Sequence, residues 1–143
     1  MKKNLQTRFS TRQYMLSRDF EIYYYKDSAL SGVDSHSHDY YEFYFFLEGD
    51  VSIEIAGRVF PLRYGDVILI PPGTPHRPHI RDSKTPYRRF VFWVTGEYLN
   101  QMMETSVAYG YLMQHVRTKG EYIFHNDRVG FNEIQTKVFR LIE

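Results

Sequence analysis

Turn-forming residues punctuate the first two thirds of the chain and leave only short apolar segments between them. Gly49, Gly57 and Gly65 each adjoin such a segment, 31–32 predicts a further turn, and the run 71–75 holds three prolines and a glycine. Turns about eight to twelve residues apart are typical of β-sandwiches and barrels. The sequence predicts strands at residues 20–25, 36–47, 51–55, 59–62, 67–70 and 90–94.

Aromatic side chains point to the same fold class. They make up 17% of the 143 residues, with 13 Tyr and 11 Phe, and stiff flat rings pack well on a pleated sheet. The 43% hydrophobic and 24% charged content is that of an ordinary globular domain, and the length suits one hydrophobic core. We therefore predict a mainly β protein, built as a sandwich or barrel.

The pattern changes in the last third of the chain, where turn residues become rare. Residues 97–103 and 109–116 predict one or two helices, and 121–125 predicts a short strand. A last helix follows, with Asn126 or Asp127 as its N-cap. Its apolar positions recur at helical spacing and predict packing against the sandwich: Val129, Phe131, Ile134, Val138, Leu141 and Ile142.

Two regions follow from these patterns. Residues 1–95 predict an N-terminal arm and the sandwich, and residues 96–143 predict a helical tail packed on it. The last helix shows neither a glycine cap nor a proline stop before Glu143, so we expect it to continue in a longer protein.

The overall charge balance excludes some classes of function. Eighteen basic and seventeen acidic residues give a formal net charge of +1, which lacks the strong positive field that binds nucleic acid directly. The chain has no cysteine, no apolar signal-peptide core and no apolar run of the roughly 20 residues that cross a bilayer. We expect a cytoplasmic protein that binds no membrane.

Two groups of basic residues fit solvated surfaces better than binding sites. The first belongs to the N-terminal segment and comprises Lys2, Lys3, Arg8, Arg12 and Arg18. The second predicts an exposed loop and comprises Arg77, Arg81, Lys84, Arg88 and Arg89, with His79 on the surface or at a rim.

A cluster of side chains suited to binding chemistry lies in the predicted strand 36–47. Alternate positions of a strand share one face, and here they are His36, His38, Tyr40, Glu42, Tyr44 and Phe46, while positions 41, 43, 45 and 47 pack on the other side. His76 follows the proline-rich turn, at the end of a different strand. Three histidines and a glutamate suit a divalent metal such as Zn²⁺, Ni²⁺ or Fe²⁺. Pocket histidines that hydrogen-bond to tyrosines are the other interpretation, and both stay open.

Two segments resemble the two sequence motifs of the cupin superfamily. Residues 36–42 resemble the first motif, and residues 65–76 resemble the second. The first departs from the pattern in the position of its glycine, Gly32, and the second carries Ile80 where asparagine is common. The resemblance implies a cupin jelly-roll sandwich and places His76 beside the three other presumed ligands.

The span from about Tyr14 to Glu143 is similar to the N-terminal effector-binding domain of AraC-type transcription regulators. The segments that carry this resemblance are 38–43, 64–73, 76–77 and 89–93. The resemblance implies a sandwich that binds a small polar metabolite, often a sugar, followed by helices that form a homodimer. It also implies a separate DNA-binding domain with two helix-turn-helix units, which this chain lacks.

The resemblance implies a non-catalytic sensor with its pocket inside the sandwich. Aromatic rings would supply stacking faces there, and polar side chains would supply a few directed hydrogen bonds. The candidate ligand-binding residues are Tyr24, His36, His38, Glu42, Tyr44, Phe46, His76 and Trp93. The alternative is a metal-dependent cupin enzyme, a dioxygenase or isomerase, whose metal is held by His36, His38, Glu42 and His76.

Overall fold

Two antiparallel sheets and three helices make up the part of the chain that the computed structural model describes, residues 12–28 and 32–142. The predicted turn at 31–32 lies partly outside these residues. Every predicted strand has a counterpart, although the second begins at Tyr41 and not at His36. The elements are β1 (Phe20–Asp27), β2 (Tyr41–Glu48), β3 (Asp50–Ile55), β4 (Arg58–Pro61), β5 (Asp66–Ile70), β6 (His76–Asp82), β7 (Tyr87–Val94), α1 (Gly96–Thr105), α2 (Ala108–Lys119), β8 (Ile123–His125) and α3 (Arg128–Ile142).

The strands form a sandwich of one large and one small sheet. The large sheet has the order β1-β7-β2-β5-β8, and the small sheet has the order β4-β3-β6. The two sheets do not close into a barrel. A core cluster between them buries side chains from both, among them Phe46 on β2, Ile53 and Ile55 on β3 and Ile68 on β5. The predicted mainly β sandwich is confirmed.

The two central strands β2 and β7 are covered on both faces, as an apolar run on both parities predicts. On β7, Val91 and Trp93 belong to the core between the sheets. Phe90 packs instead against α3, and Phe92 packs against the cluster that includes α1 and α2. The helices thus cover the outer face of the large sheet, and the inner face is left to the sandwich interior.

Strand β6 occupies part of the segment whose basic residues predict an exposed loop, so that prediction is wrong there. Its polar side chains and Pro78 hide any apolar alternation, which is why the sequence does not reveal it. β6 lies at the edge of the small sheet, where the missing N–H of a proline is tolerated. Arg77 and His79 contact Glu54 on β3 at 3.0 and 2.7 Å and remain partly exposed, which agrees with a surface position for His79.

The last helix packs on the sandwich along a narrower face than its sequence predicts. Phe131 and Val138 are buried against the large sheet, but Val129 and Leu141 are 72% and 56% exposed. These two positions lie at the margins of the apolar stripe, where the helix carries side chains away from the sheet. The carboxylate of Asp127 accepts a 2.7 Å hydrogen bond from the N–H of Gly130, as one of the two predicted caps requires.

Strand β8 ties the C-terminal region into the sandwich. It pairs with β5 through Asp66–His125, Val67–Phe124 and Ile68–Ile123, and it forms one edge of the large sheet. The region after residue 95 therefore contributes a strand as well as helices. None of the helices in the described ranges is long and apolar enough to cross a membrane.

Gly65→Ala should destabilise the protein more than Gly57→Ala. Both glycines have positive φ, 98° and 78°, a conformation that costs an alanine about 1–2 kcal/mol. At Gly65 an added Cβ would also lie 2.7 Å from the backbone oxygen of Asn126, whereas at Gly57 it would meet nothing within 4 Å. We expect urea denaturation to show losses of about 3 kcal/mol at Gly65 and about 1 kcal/mol at Gly57. Equal losses would contradict the close approach to Asn126.

Candidate ligand-binding cavity

A cavity of about 520 Å³ lies between the two sheets, with residues 32–35, which are exposed or half-buried, on its rim. Its volume is in the range that small-molecule sites occupy. The structure brings six of the predicted site residues to its wall: His36, His38, Glu42, Tyr44, His76 and Trp93. Other residues of the wall are Arg12, Tyr25, Tyr40, Ile53, Pro78, Tyr87, Arg89 and Val91.

Two predicted wall residues lie elsewhere. Tyr24 projects from the outer face of β1, where its ring packs on Phe90 and its hydroxyl accepts a 2.9 Å hydrogen bond from Nε of Arg88. Its neighbour Tyr25 faces the cavity instead, because successive side chains of a strand alternate. Phe46 does face the interior, but it is 2% exposed within the core and does not line the cavity.

His36 and His38 precede the strand that the sequence predicts to carry them. They belong to the extended segment that leads into β2, so shared strand parity with Glu42 does not explain their positions. An isolated pair of backbone hydrogen bonds, 3.1 and 2.9 Å, joins His36 to His76 at the start of β6. This bridge brings the histidine segment and the small sheet together.

Three of the four predicted metal ligands form a compact buried group. Nε2 of His38 lies 2.7 Å from Oε2 of Glu42, and Nε2 of His76 lies 3.3 Å from the same oxygen. The contact to His76 lacks hydrogen-bond geometry, so we treat it as an ion pair. The ligand atoms of the three residues all lie within 4.8 Å of one another.

The outer nitrogen of each ring is held by the backbone. Nδ1 of His38 is 3.0 Å from the carbonyl oxygen of Tyr40, and Nδ1 of His76 is 2.9 Å from that of Thr74. A carbonyl on Nδ1 fixes the ring and leaves Nε2 to bind a metal, which is the usual arrangement of metal-ligating histidines. The donor set of two imidazoles and a carboxylate therefore fits a divalent transition metal.

His36 stands beside this group and not within it. Its ring centroid is 4.4 Å from that of His76, and its Nδ1 is 3.0 Å from the carbonyl oxygen of Asp34. The compact set of ligand atoms comprises only His38, Glu42 and His76 among the residues described. The structure thus supports three of the four predicted ligands as one cluster.

Burial and charge act against each other on the pKa values of Glu42 and His76. Burial opposes ionisation of Glu42, but the hydrogen bond from His38 and the contact with His76 hold the pKa of its carboxyl well below the usual range. Burial also opposes a charge on His76, yet the nearby carboxylate raises its pKa. The pKa of His36 is lowered, by burial and then by the neighbouring charge of His76.

The sequence does not predict that two arginines, Arg12 and Arg89, lie on the cavity wall. Arg89 is 2% exposed on β7, where it pairs with Asp27 at 2.6 Å, so its prediction as part of a solvated surface is wrong. Arg12 lies over the ring of Trp93 at 5.4 Å and pairs with Glu21 at 2.7 Å, which corrects its prediction as a solvated residue. The partner of Arg12 lies nine positions away and that of Arg89 lies 62 positions away, so a short sequence window shows neither pairing.

Outside the His-Glu-His group, four polar atoms of aromatic side chains on the wall are buried and have no hydrogen-bond partner within the described chain. They are the hydroxyls of Tyr40, Tyr44 and Tyr87 and the indole Nε1 of Trp93. Buried polar groups in folded proteins are almost always paired, with protein, water or ligand. Their concentration on one cavity indicates that the cavity is built to receive a polar molecule.

This two-sheet sandwich resembles the fold of cupin proteins. The solved structures that resemble this chain include a Cupin 2 conserved barrel domain protein from Salinispora arenicola, at a TM-score of 0.50 and 18% identity, covering 69% of this chain and 79% of that one. A cupin protein from Bacteroides fragilis matches at a TM-score of 0.48 and 24% identity, covering 66% and 87%. DMSP lyase DddQ from Ruegeria pomeroyi matches at a TM-score of 0.47 and 26% identity, covering 56% and 40%.

The family within this fold follows from the sequence match. A family model for the AraC-like ligand binding domain matches residues 21–119, and the chain belongs to this family. A search of curated proteins found no sequence match. The predicted resemblance to AraC-type effector-binding domains is confirmed.

Glu42→Gln should cost the most stability at about pH 5.5. The lowered pKa of Glu42 contributes stability that is present above its usual value of 4.5 and is lost as pH falls. The raised pKa of His76 contributes stability that is present below 6.5 and is lost as pH rises through its folded value. The substitution removes the charge on which both depend. We expect the wild type to exceed the variant by about 2 kcal/mol near pH 5.5 and by less at about pH 3 and pH 9.

Urea denaturation of both proteins in EDTA measures this difference, since the chelator removes any metal contribution. A difference that stays constant across the whole pH range would contradict the coupling of Glu42 to the histidines.

Proposed function

We propose that this chain is the ligand-sensing domain of an AraC-type transcription regulator and that it binds a small polar metabolite, such as a sugar, in the cavity. The observation that carries the proposal is the set of four unpaired buried polar atoms on the wall. Each such group costs about 1–3 kcal/mol when it stays unpaired. A ligand that pairs with them recovers this free energy on binding.

The lowered pKa of the Glu42 carboxyl and its hydrogen bond with His38 agree with a non-catalytic role. The carboxylate is the natural general base of the cavity, but its pKa is held far below the range in which a base accepts protons at neutral pH. The hydrogen bond from His38 occupies the oxygen that would take the proton. The group is therefore better suited to hold a fixed charge pattern than to transfer protons.

The strands that line the cavity also contact the helices on their other face. On β2, Glu42 lines the cavity from the inner face. The preceding residue, Tyr41, lies on the outer face, and its hydroxyl accepts a hydrogen bond from Arg117 on α2. On β7, Trp93 lines the cavity, while its neighbour Val94 packs in the cluster that contains Leu99 of α1. We infer that a ligand which shifts these strands changes the packing of α1 and α2.

The helices are then the proposed contact between two copies of the chain. Tyr111 and Leu112 on α2 are 68% and 42% exposed, and apolar side chains of this kind suit a homodimer interface. In this proposal the protein acts in the cytoplasm and reaches DNA only through a separate DNA-binding domain. Ligand binding would bias the dimer between two arrangements.

A metal-dependent enzyme is the second candidate function, and the His38-Glu42-His76 group favours it. These three residues would hold one divalent metal, with zinc, nickel or iron as the candidates for their donor set. Such a metal would supply Lewis acidity to a bound molecule. The residues around it would position that molecule through the unpaired hydroxyls.

Isothermal titration calorimetry across sugars, amino acids and small organic acids tests the sensing proposal. We expect at least one class to bind and to raise the melting temperature, since a ligand at 100 times its Kd adds about 2.7 kcal/mol. Val91→Phe should abolish binding, because its ring fills the cavity. Val59→Phe is the matched control, since Val59 is 58% exposed on β4 and should leave binding unchanged. No binder in any class would contradict the proposal.

Elemental analysis of untagged protein tests the metal. We expect about one zinc, nickel or iron per chain. His38→Ala should remove most of it, because Nε2 of His38 belongs to the compact ligand group. His36→Ala should retain most of it, because His36 lies beside the group. A metal content near zero in the wild type would contradict the metal site.

A further inference from the structure

The cavity wall offers four buried, unpaired hydrogen-bond donors. The indole N–H of Trp93 can only donate, and the hydroxyls of Tyr40, Tyr44 and Tyr87 each carry a hydrogen that is unpaired. Burial raises the pKa of Tyr40 and Tyr87, so these phenols keep their protons. All four groups belong to β2, to β7 or to the residue that directly precedes β2, so they lie on the wall formed by the large sheet.

Positive charge lies on the same wall. Arg89 lines the cavity with its guanidinium 4.0 Å from the ring centroid of Tyr87, and Arg12 lines it against Trp93. The carboxylates that pair with these arginines, Asp27 and Glu21, are not among the lining residues.

Few carboxylate oxygens are available in return. The acidic residues of the described lining are Asp34, which is exposed at the rim, and Glu42, which is engaged by His38 and His76. The hydroxyl hydrogens of a neutral polyol would have to compete for the lone pairs of the same three tyrosine hydroxyls. A carboxylate brings only acceptors and can pair with all four of the unpaired hydrogens, beside the two arginines that line the cavity.

The opposite wall is apolar apart from His76 at the start of β6. Ile53 on β3 and Pro78 on β6 line the cavity from the small sheet, facing the donors across it. A molecule that spans the cavity therefore meets hydrogen-bond donors on one side and hydrocarbon on the other.

We infer that the ligand of this cavity is a small organic acid with an apolar body, bound through its carboxylate to the large-sheet wall. The inference rests on the proposed sensing function and narrows its ligand class from polar metabolites in general to acids. The apolar body would lie against Ile53 and Pro78, and the carboxylate would accept hydrogen bonds from the tyrosine hydroxyls and the indole.

Matched pairs of probes test the charge requirement by isothermal titration calorimetry. Benzoate is compared with benzamide, phenylacetate with phenylacetamide, and glucuronate with glucose. We expect each acid to bind at least about tenfold more tightly than its neutral partner, because the neutral partner loses a charge-assisted pairing. Trp93 is the single tryptophan, so its fluorescence reports independently that the probe occupies this cavity.

The outcomes separate the inference from the function on which it rests. Neutral partners that bind as tightly as their acids would overturn the acid inference and leave small-molecule sensing in place. Binding by no member of any pair would overturn the acid inference, and the sensing function would then fall only if the wider metabolite panel is also negative.

Removal of single hydroxyls tests the donor wall. Tyr44→Phe and Tyr87→Phe should each raise the Kd of the tightest acid probe about five- to tenfold, because each removes one hydrogen bond. The melting temperature of the free protein should stay the same or rise, because these hydroxyls are unpaired without a ligand. Tyr24→Phe is the matched control, since its hydroxyl lies outside the cavity and bonds Arg88. An unchanged Kd in both cavity variants would overturn the inference.

Discussion

The buried carboxylate of Glu42 sets the distance between the two sheets at the cavity. A carboxylate that is 7% exposed is unfavourable by several kcal/mol unless opposite charges and hydrogen bonds compensate it. One partner, His38, precedes β2 on the same side of the sandwich, whereas the other, His76, opens β6 in the opposite sheet. The charge is therefore satisfied only when β6 approaches β2, and the backbone bridge between His36 and His76 fixes that approach.

Sequence reasoning predicted the sandwich because turn chemistry and alternation are local properties. It placed Tyr44 on the inner face because this residue shares the parity of Glu42, and it named Trp93 as a candidate wall residue; both line the cavity. It failed at Tyr24 because Tyr23, Tyr24 and Tyr25 are identical in type, and three like residues in a row do not show which of them faces inward. Only the pairing of β1 with β7, with Tyr25 opposite Arg89, settles the face.

Charged residues were the least predictable part of the cavity. An arginine in a polar stretch is usually solvated, and only a distant partner can bury it. Arg89 can be buried because its guanidinium pairs with the carboxylate of Asp27 at 2.6 Å. Asp27 lies 62 positions away in the sequence, so a local pattern does not reveal the pair. The metal group shows the opposite case. His38 and Glu42 were selected by strand parity and His76 was placed beside them by motif resemblance, although parity does not apply to His38, which precedes the strand.

The two-sided burial of β2 has a consequence for how such a domain can diverge. Alternate residues of this strand face either the cavity or the helices, so an insertion or deletion of one residue would exchange the two faces throughout the strand. Phenylalanines would then enter the cavity, and Glu42 would meet the helix cluster. Evolution of ligand preference at this strand is confined to substitutions at every second position, and each new specificity inherits the same outer surface.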